Sequence, residues 1–411
     1  MKRLLSLALS AVLLLSCAAP ALAADHDHRY DENGVCTVCG ESCPHSVYLN
    51  GVCAACGQPC PHPAWAEGRC VRCHILCGHP EHDRDTKLCT TCGEYVEHTY
   101  VGGSCPRCGR WPALQSDPLP QWLFAPCAEK GSVQTLSYTT HDYVKERTEG
   151  GSFLRNKKLC VYLPYGYDSS EPYDVLILVH GMGDNERYWL LREQEYYEPT
   201  DAHVYTTDLL DNMMAARLSR RMIVVTPTFY RNSDNVWDYN RYEDQDQFVL
   251  ELRKDILPLI VRTYSTYASE PTAEAISRVR EHFAYAGLSM GSIYAYNAVL
   301  PLCLDLFAWY GCFSGAETYV RLTSDALNSA NWADYPIRFF YNSCGVNDGM
   351  HDNHLSQFKQ MVERCPGLTE SVNATFTDIL RAGHTYQAWG VGLYNFLLLL
   401  FQQEESPAPG P

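Results

Sequence analysis

The sequence predicts an α/β fold: a mostly parallel central sheet flanked by helices, preceded by a small metal-stapled cysteine-rich repeat region. Three observations carry this expectation. From residue 131 onward, short apolar runs alternate with longer stretches of helical spacing. One run, Asp174 to His180, has an unbroken apolar interior, as a strand covered on both faces must have. The pentapeptide Gly287-Leu288-Ser289-Met290-Gly291 stands between an apolar run, Phe283 to Ala286, and a small-residue and aromatic stretch, Ser292 to Leu300.

With 411 residues the chain exceeds one ordinary core, so two folded regions are expected after a leader. Residues 1–23 read as a signal peptide. Lys2 and Arg3 open it, Leu4 to Leu15 form its apolar centre, and Ala21-Leu22-Ala23 offers small residues for cleavage. Leu14-Leu15-Ser16-Cys17 offers an alternative, a lipoprotein box with Cys17 as the lipidated residue. No later apolar run is long enough to span a bilayer. The expectation is a secreted protein, or one anchored at the cell surface through Cys17. A formal net charge of −16 argues against nucleic acid or an anionic membrane surface as partner.

Cysteine divides the rest of the chain. Of 20 cysteines, 13 lie between Cys36 and Cys108 and six follow. Residues 25–110 repeat a unit of C-x-H, a short loop and C-x-x-C at a period of roughly 17 residues. The full units are Cys43, His45, Cys53 and Cys56; Cys60, His62, Cys70 and Cys73; and Cys77, His79, Cys89 and Cys92. A variant with His26, His28, Cys36 and Cys39 precedes them. A degenerate unit with His98, Cys105 and Cys108 follows, carrying Val96 where the others have Cys or His. Units this short bury too little apolar surface to fold alone. Two chemistries fit. Export favours disulfides. The spacing favours zinc, because a C-x-x-C knuckle aims two thiolates at one ion and C-x-H completes a closed tetrahedron. Histidine recurring in phase with cysteine, and an odd number of cysteines, turn the reading toward structural zinc. Closed sites leave no open position for chemistry, so the array is expected to be structural or adhesive, available to the cell wall or to another protein. Residues 111–130, opening with the proline-rich Trp111 to Pro126, read as a linker.

Residues 131–402 give the second region, element by element. Ser132 to Thr140 and Lys157 to Pro164 alternate as strands do, around a polar stretch ending in Gly150-Gly151 that signals a hairpin. Asp174 to His180 is the central strand and runs into His180-Gly181-Met182-Gly183. Asp208 to Arg221 has helical spacing, and Met222 to Thr226 is a buried strand. Phe248 to Tyr264 reads as a helix with Pro258 as a candidate kink. Thr272 to His282 is a helix leading into the strand Phe283 to Ala286, and Ser292 to Leu300 is the helix after it. Phe307 to Gly311 and Ile337 to Tyr341 are strands, His351 to Arg364 a helix, Thr375 to Leu380 the last strand and Tyr386 to Phe401 the closing helix. Residues 403–411 read as a disordered tail.

Strand, sharp turn and helix with G-x-S-x-G at the turn make the nucleophile elbow of an α/β-hydrolase. Residues without Cβ let strand and helix close around a strained serine. Partners for Ser289 appear in loops after strand ends, where an open α/β sheet puts its chemistry. Asp348 follows the Ile337 strand, and His384 follows the last strand. The order Ser, Asp, His is the one this fold uses. A serine hydroxyl is a weak nucleophile until an imidazole takes its proton, and the imidazole needs a carboxylate to fix its tautomer. The backbone N–H groups of Met182 and Met290 are the expected oxyanion hole. Asp352 is a rival acid, but inside a helix; His351 and His354 are poorer candidates for the base. Tyr230 and Trp237 follow the Met222 strand, as packing residues or as substrate contacts. Cys160 and Cys344 read as small buried hydrophobes.

Six segments carry a family likeness: Val161 to Tyr167, Leu176 to Asp184, Tyr264 to Tyr267, Ala286 to Gly291, Phe313-Ser314-Gly315 and His384 to Trp389. Together they resemble carbohydrate esterase family 1, the feruloyl and acetylxylan esterases, and are similar to the esterase D group and the mycolyltransferases. The resemblance spans residues 131–402. It implies an α/β-hydrolase fold, no cofactor for catalysis, a triad of Ser289, Asp348 and His384, and ester substrates on acylated plant cell-wall polysaccharide. Two departures stand out. The cysteine-rich array replaces the usual carbohydrate-binding or dockerin module, and the loop from Phe229 to Gln247 does not follow the family. Two other functions stay open at this point. One is a serine hydrolase or acyltransferase on another ester, such as a small-molecule thioester or an envelope lipid. The other is an adhesive protein whose hydrolase fold is catalytically dead.

Overall fold

The computed structural model describes residues 114–191, 206–231, 241–316 and 320–401, together with residues 35–37, 42, 48–49, 52–53, 65–66 and 69–70 near the N-terminus. The chain divides into two compact units, residues 1–99 with 105–110, and residues 100–104 with 111–411.

In the first unit, the described backbone repeats itself. Tyr48–Leu49 pairs antiparallel with Val52–Cys53, and Trp65–Ala66 pairs with Arg69–Cys70. The register is the same in both, with Tyr48 opposite Cys53 and Trp65 opposite Cys70. Each hairpin therefore ends on the first cysteine of a C-x-x-C. An isolated antiparallel bridge from Val35 to Ser42 encloses the C-x-x-C of the variant unit, whose Cys36 is buried. Apart from Cys36, Cys53 and Cys70, the expected metal ligands lie outside the described residues, as do the leader and the tail. Among the described residues, no group of three or more His, Cys, Asp or Glu is arranged to hold a metal ion.

The second unit is built on eight strands: β1 (Ser132–His141), β2 (Leu154–Leu163), β3 (Asp174–Val179), β4 (Met222–Pro227), β5 (Phe283–Leu288), β6 (Trp309–Phe313), β7 (Phe339–Gly345) and β8 (Ala374–Ile379). Their order across the sheet is β8-β7-β6-β5-β3-β4-β2-β1. Strands β3 to β8 run parallel, and β2 runs antiparallel to both β1 and β4. The unbroken apolar interior of β3 has a direct cause. Val175, Ile177 and Val179 enter one core cluster, with Ile256 and Ile260. Leu176 and Leu178 enter a second, with Leu209, Met213 and Phe396. Alternate side chains point to opposite faces, and both faces are covered.

Among the described residues, the α-helices of five or more residues are α1 (Tyr143–Glu149), α2 (Thr206–Ala215), α3 (Arg241–Glu251), α4 (Leu257–Thr263), α5 (Ala273–Arg278), α6 (Met290–Tyr294), α7 (Val320–Leu327), α8 (His351–Arg364) and α9 (Tyr386–Leu399). Several expectations need correction. The stretch between β1 and β2 is not a simple hairpin turn. Asp142 accepts from Lys145 N at 3.0 Å and caps α1, which Gly150 ends at a φ of 71°. Pro258 does not break its helix. A π turn, Leu252–Ile256, precedes it, and a second, Ala295–Val299, precedes Pro301. The wider turn absorbs the missing N–H and the ring clash. Helix α7 carries no signal that the sequence reading used. The expected linker is also packed from residue 114 onward. Leu123 is fully buried, and buried Asn395 of α9 holds both backbone groups of Gln115, at 2.7 and 2.8 Å.

Candidate active site

Ser289 stands at the turn from β5 to α6 with φ 48° and ψ −111°. That conformation is strained for any residue with a side chain. The strain is sustained because the turn is over-determined. Ser289 N donates to Phe313 O at 2.8 Å, and a Cβ on Gly287 would lie 2.5 Å from the backbone of Gly291. Strand and helix thus meet at a distance only glycine permits.

Two loops bring partners to this hydroxyl. The loop after β8 carries His384, whose Nε2 lies 3.0 Å from Ser289 Oγ. The loop after β7 carries Asp348, whose Oδ2 lies 2.9 Å from His384 Nδ1. Asp348 is buried, while the imidazole is 40% exposed and open to an incoming group. Burial pushes the Asp348 carboxyl up. Hydrogen bonds from His384 and Met350 N–H outweigh it and hold the carboxyl below the ordinary carboxylate value. Trp389 stands edge-on to the imidazole, ring centroids 5.0 Å apart, and joins an aromatic group with Tyr386, Tyr188 and Trp189. Sequence reasoning did not assemble this group, because its members come from two segments far apart in the chain.

The rival groups are elsewhere. Asp352 is fully exposed and pairs with His351, 3.1 Å away, which also meets Asp378. His354 is buried. Its Nδ1 accepts from Gly315 N–H, and its Nε2 meets Asn342 Oδ1 at 3.0 Å. Burial pushes its pKa down to about 3, so it is neutral. We expect Asp348→Asn to lower ester turnover at least about 10²-fold by permitting the wrong imidazole tautomer. Asp352→Asn should stay within a few fold of wild type, as steady-state kinetics on p-nitrophenyl acetate would show.

The turn after β3 lies over the serine. Two of its donors are engaged. Gly183 N donates to the Tyr230 hydroxyl at 2.7 Å and Asp184 N to Gly181 O at 3.4 Å. The Met182 N–H remains, beside an exposed Met182 side chain, and Met290 opens α6 directly after Ser289. Asp184 itself is pushed up to about 7 by burial, against the pull of Gly181 N–H. Tyr230 is not a wall of the site. It is fully buried against His180 and Phe229, and its hydroxyl is spent on Gly183. Trp237 lies outside the described residues. Beneath the turn, His180 Nδ1 donates to Gly181 O at 2.7 Å, while its Nε2 meets Thr228 Oγ1 at 3.0 Å. The Thr228 carbonyl accepts in turn from buried Lys157. A buried polar chain therefore sets the height of the turn above Ser289.

This arrangement can take a proton from a hydroxyl, hold the resulting imidazolium against a carboxylate, and present backbone donors to an oxyanion. Residues 151–364, just over half of the chain, match the Esterase family model, described as "Putative esterase". The chain is 31% identical over 217 residues to endo-1,4-beta-xylanase Y of Acetivibrio thermocellus, covering 53% of this chain and 17% of that protein. It is 27% identical over 234 residues to an endo-1,4-beta-xylanase/feruloyl esterase of Xylanibacter ruminicola, covering 54% of this chain and 26% of that protein. The chain thus spans well under half the length of these relatives. Among solved structures it is similar to a serine-to-alanine mutant of the feruloyl esterase module from Clostridium thermocellum complexed with sinapinate. There the TM-score is 0.59 and the identity 24%, over 77% of this chain and 100% of that one. A ferulic acid esterase from the anaerobic fungus Anaeromyces mucronatus gives a TM-score of 0.53 and 20% identity, over 71% of this chain and 98% of that one. These structural likenesses bear on the fold, which is that of an α/β-hydrolase.

Proposed function

The chain belongs to the esterase family, and from that premise we propose that it hydrolyses ester-linked acyl groups, feruloyl or acetyl, on plant cell-wall xylan. The observation that carries the reading is the hydrogen-bonded series from Ser289 through His384 to Asp348, placed after the ends of parallel strands. Ser289 Oγ attacks the ester carbonyl carbon while His384 Nε2 takes its proton. Asp348 stabilises the imidazolium, and the N–H groups of Met182 and Met290 receive the negative oxygen. Collapse of the tetrahedral intermediate breaks the bond to the sugar oxygen, which takes the proton from His384. Water, activated by the same imidazole, then releases the acid and restores the serine. The names of the xylanase and feruloyl esterase relatives support xylan esters as the substrate class. The aromatic group beside His384 supports an acyl group with a ring. No cofactor takes part in this scheme.

A substrate panel tests it. Methyl ferulate and feruloylated arabinoxylan, or acetylated xylan, should be turned over with kcat/KM well above that for a small thioester or a lipid ester. Preference for a thioester or lipid would move the chain to another branch of the family.

We also propose that the cysteine-rich array is zinc-stapled and that the chain is exported, through the leader or with an anchor at Cys17. Support for zinc comes from the cysteine and histidine spacing and from hairpins of matching register that each lead into a C-x-x-C. Structural zinc can contribute roughly 10 kcal/mol or more per site. Elemental analysis of the mature protein should find three to four zinc ions per chain, on the count of repeat units. Metal-free protein with no titratable thiols after denaturation would mean disulfides instead. Such an array leaves its outer surface to the cell wall or to another protein.

A further inference from the structure

A second cleft opens at the far end of the sheet from the triad. Ser289, Asp348 and His384 follow the C-terminal ends of β5, β7 and β8. Arg221 stands just before β4, and Pro164 just after β2, which runs antiparallel to β4. The two places are a strand's length apart, roughly 20 Å at about 3.3 Å per residue. The cleft has a volume of about 230 Å³, and its walls include Glu129, Pro164, Tyr165, Asp211, Met214 and Arg221. Drug-sized ligands fill roughly 300–1,000 Å³. This cleft therefore suits one small ring, or one unit of a chain that crosses it.

The wall that carries Tyr165 is firmly held. Tyr167 N donates to Pro164 O at 3.0 Å and closes a turn around Tyr165 and Gly166, and Gly166 takes the φ of 61° that such a turn asks of glycine. Arg221 Nη2 pins the same turn, donating to Tyr165 O at 2.9 Å, Gly166 O at 2.6 Å and the Tyr173 hydroxyl at 3.1 Å. The Tyr165 side chain itself is 54% exposed. Asp211, on α2, is 4% exposed, and its Oδ1 accepts from the Tyr162 hydroxyl at 2.6 Å and from Gly131 N at 2.8 Å. Among the described residues, no hydrogen bond engages Asp211 Oδ2 or Arg221 Nε, and Arg221 Nη1 has only the Glu171 carboxylate, 3.9 Å away. Hydrogen-bonding capacity of both kinds is thus left on one cleft, beside an exposed aromatic ring.

That combination suits a neutral, polyhydroxylated ring. The C–H face of a sugar packs on an aromatic ring, while its hydroxyls donate to a carboxylate and accept from a guanidinium. Glu129 and Asp211, in a chain of net charge −16, oppose an anionic glycan, and Arg221 opposes a cation. An apolar ligand would cover Asp211 and Arg221 without pairing them, which is costly. We propose that this cleft is a second carbohydrate site. It holds an unacylated pentose unit of the xylan chain while the triad acts on an ester elsewhere along it. The choice of xylan rests on the proposed esterase activity, whereas the choice of a neutral sugar rests on the cleft. Holding the polymer at a second point raises the effective concentration of its esters at the triad.

The test is a ligand-observed NMR titration of the full chain with xylotetraose, which carries no ester. Wild type should bind it. Tyr165→Ala should weaken binding about tenfold, the scale of losing one aromatic anchor. Tyr165→Phe keeps the ring and should bind within a few fold of wild type. In Tyr165→Ala, the ratio of kcat/KM on feruloylated arabinoxylan to that on methyl ferulate should also fall several-fold. The side chain is exposed and its turn is held through backbone groups, so all three proteins should melt together. No binding by wild type, or equal binding by wild type and Tyr165→Ala, would overturn the proposal. Failure of the esterase reading looks different, because wild type would then turn over neither methyl ferulate nor acetylated xylan, whatever Tyr165→Ala did to xylotetraose binding.

Discussion

Ser289→Ala is expected to lose nearly all ester turnover, by 10³-fold or more on the order of magnitude seen when a triad member is removed, while melting at the wild-type temperature. The reasoning is local. The Ser289 hydroxyl makes its hydrogen bond to His384, at the rim of the site, so removing it opens no core cavity. The φ of 48° is as strained for alanine as for serine, so the elbow neither gains nor loses from the exchange. What disappears is the covalent acceptor. His384→Ala should match it, because the members act as a unit. Turnover on p-nitrophenyl acetate within a few fold of wild type, at equal Tm, would contradict the assignment.

The second large effect concerns stability. Lys157 and Glu251 are both fully buried, with Nζ 2.6 Å from Oε2. The lysine also donates to Thr228 O at 2.9 Å, and Glu251 accepts from Gln247 Nε2 at 2.8 Å and from the Tyr138 hydroxyl at 3.3 Å. Burial pushes the Glu251 carboxyl up, and Lys157 is the main group pulling it back. Lys157→Met leaves that carboxylate buried without a counter-charge. Breaking one half of such a pair costs about 3–5 kcal/mol, which lowers Tm by roughly 10 °C in a unit of this size. The sign of the pH dependence follows. Glu251 holds its proton more tightly folded than unfolded, so the deficit grows as pH rises above the ordinary carboxylate value. It should be smaller at acid than at alkaline pH. Lys157→Met/Glu251→Leu should recover much of the loss, since an apolar pair of similar volume is often neutral. A single variant melting with wild type would show that the pair contributes nothing.

Much of the site was legible because its chemistry sits after apolar strands. Asp348 and His384 each follow a run that reads as a strand whatever the register, so placing the end of β7 four residues early does no harm. Residues whose role depends on distant partners were not legible. Lys157 alternates like a solvent-facing strand residue and is buried because Glu251, 94 positions away, meets it. Tyr230 looked like a loop aromatic open to substrate, but its hydroxyl is drawn inward by Gly183 N–H. Ser314 is one polar residue after a strand, and nothing local announces its φ of 52°. The prolines of the strip from residue 114 suggest a linker, yet buried Leu123 and the bond from Gln115 to Asn395 pin it to the core.

The most direct test of the account is to trap the acyl-enzyme. Wild-type protein mixed with p-nitrophenyl acetate and quenched in acid during the first turnover should gain the mass of one acetyl group. Peptide mapping should place that group on Ser289, and Ser289→Ala should gain none. Continued ester turnover with no acyl group at Ser289, or with the label on another residue, would contradict the mechanism at its first step.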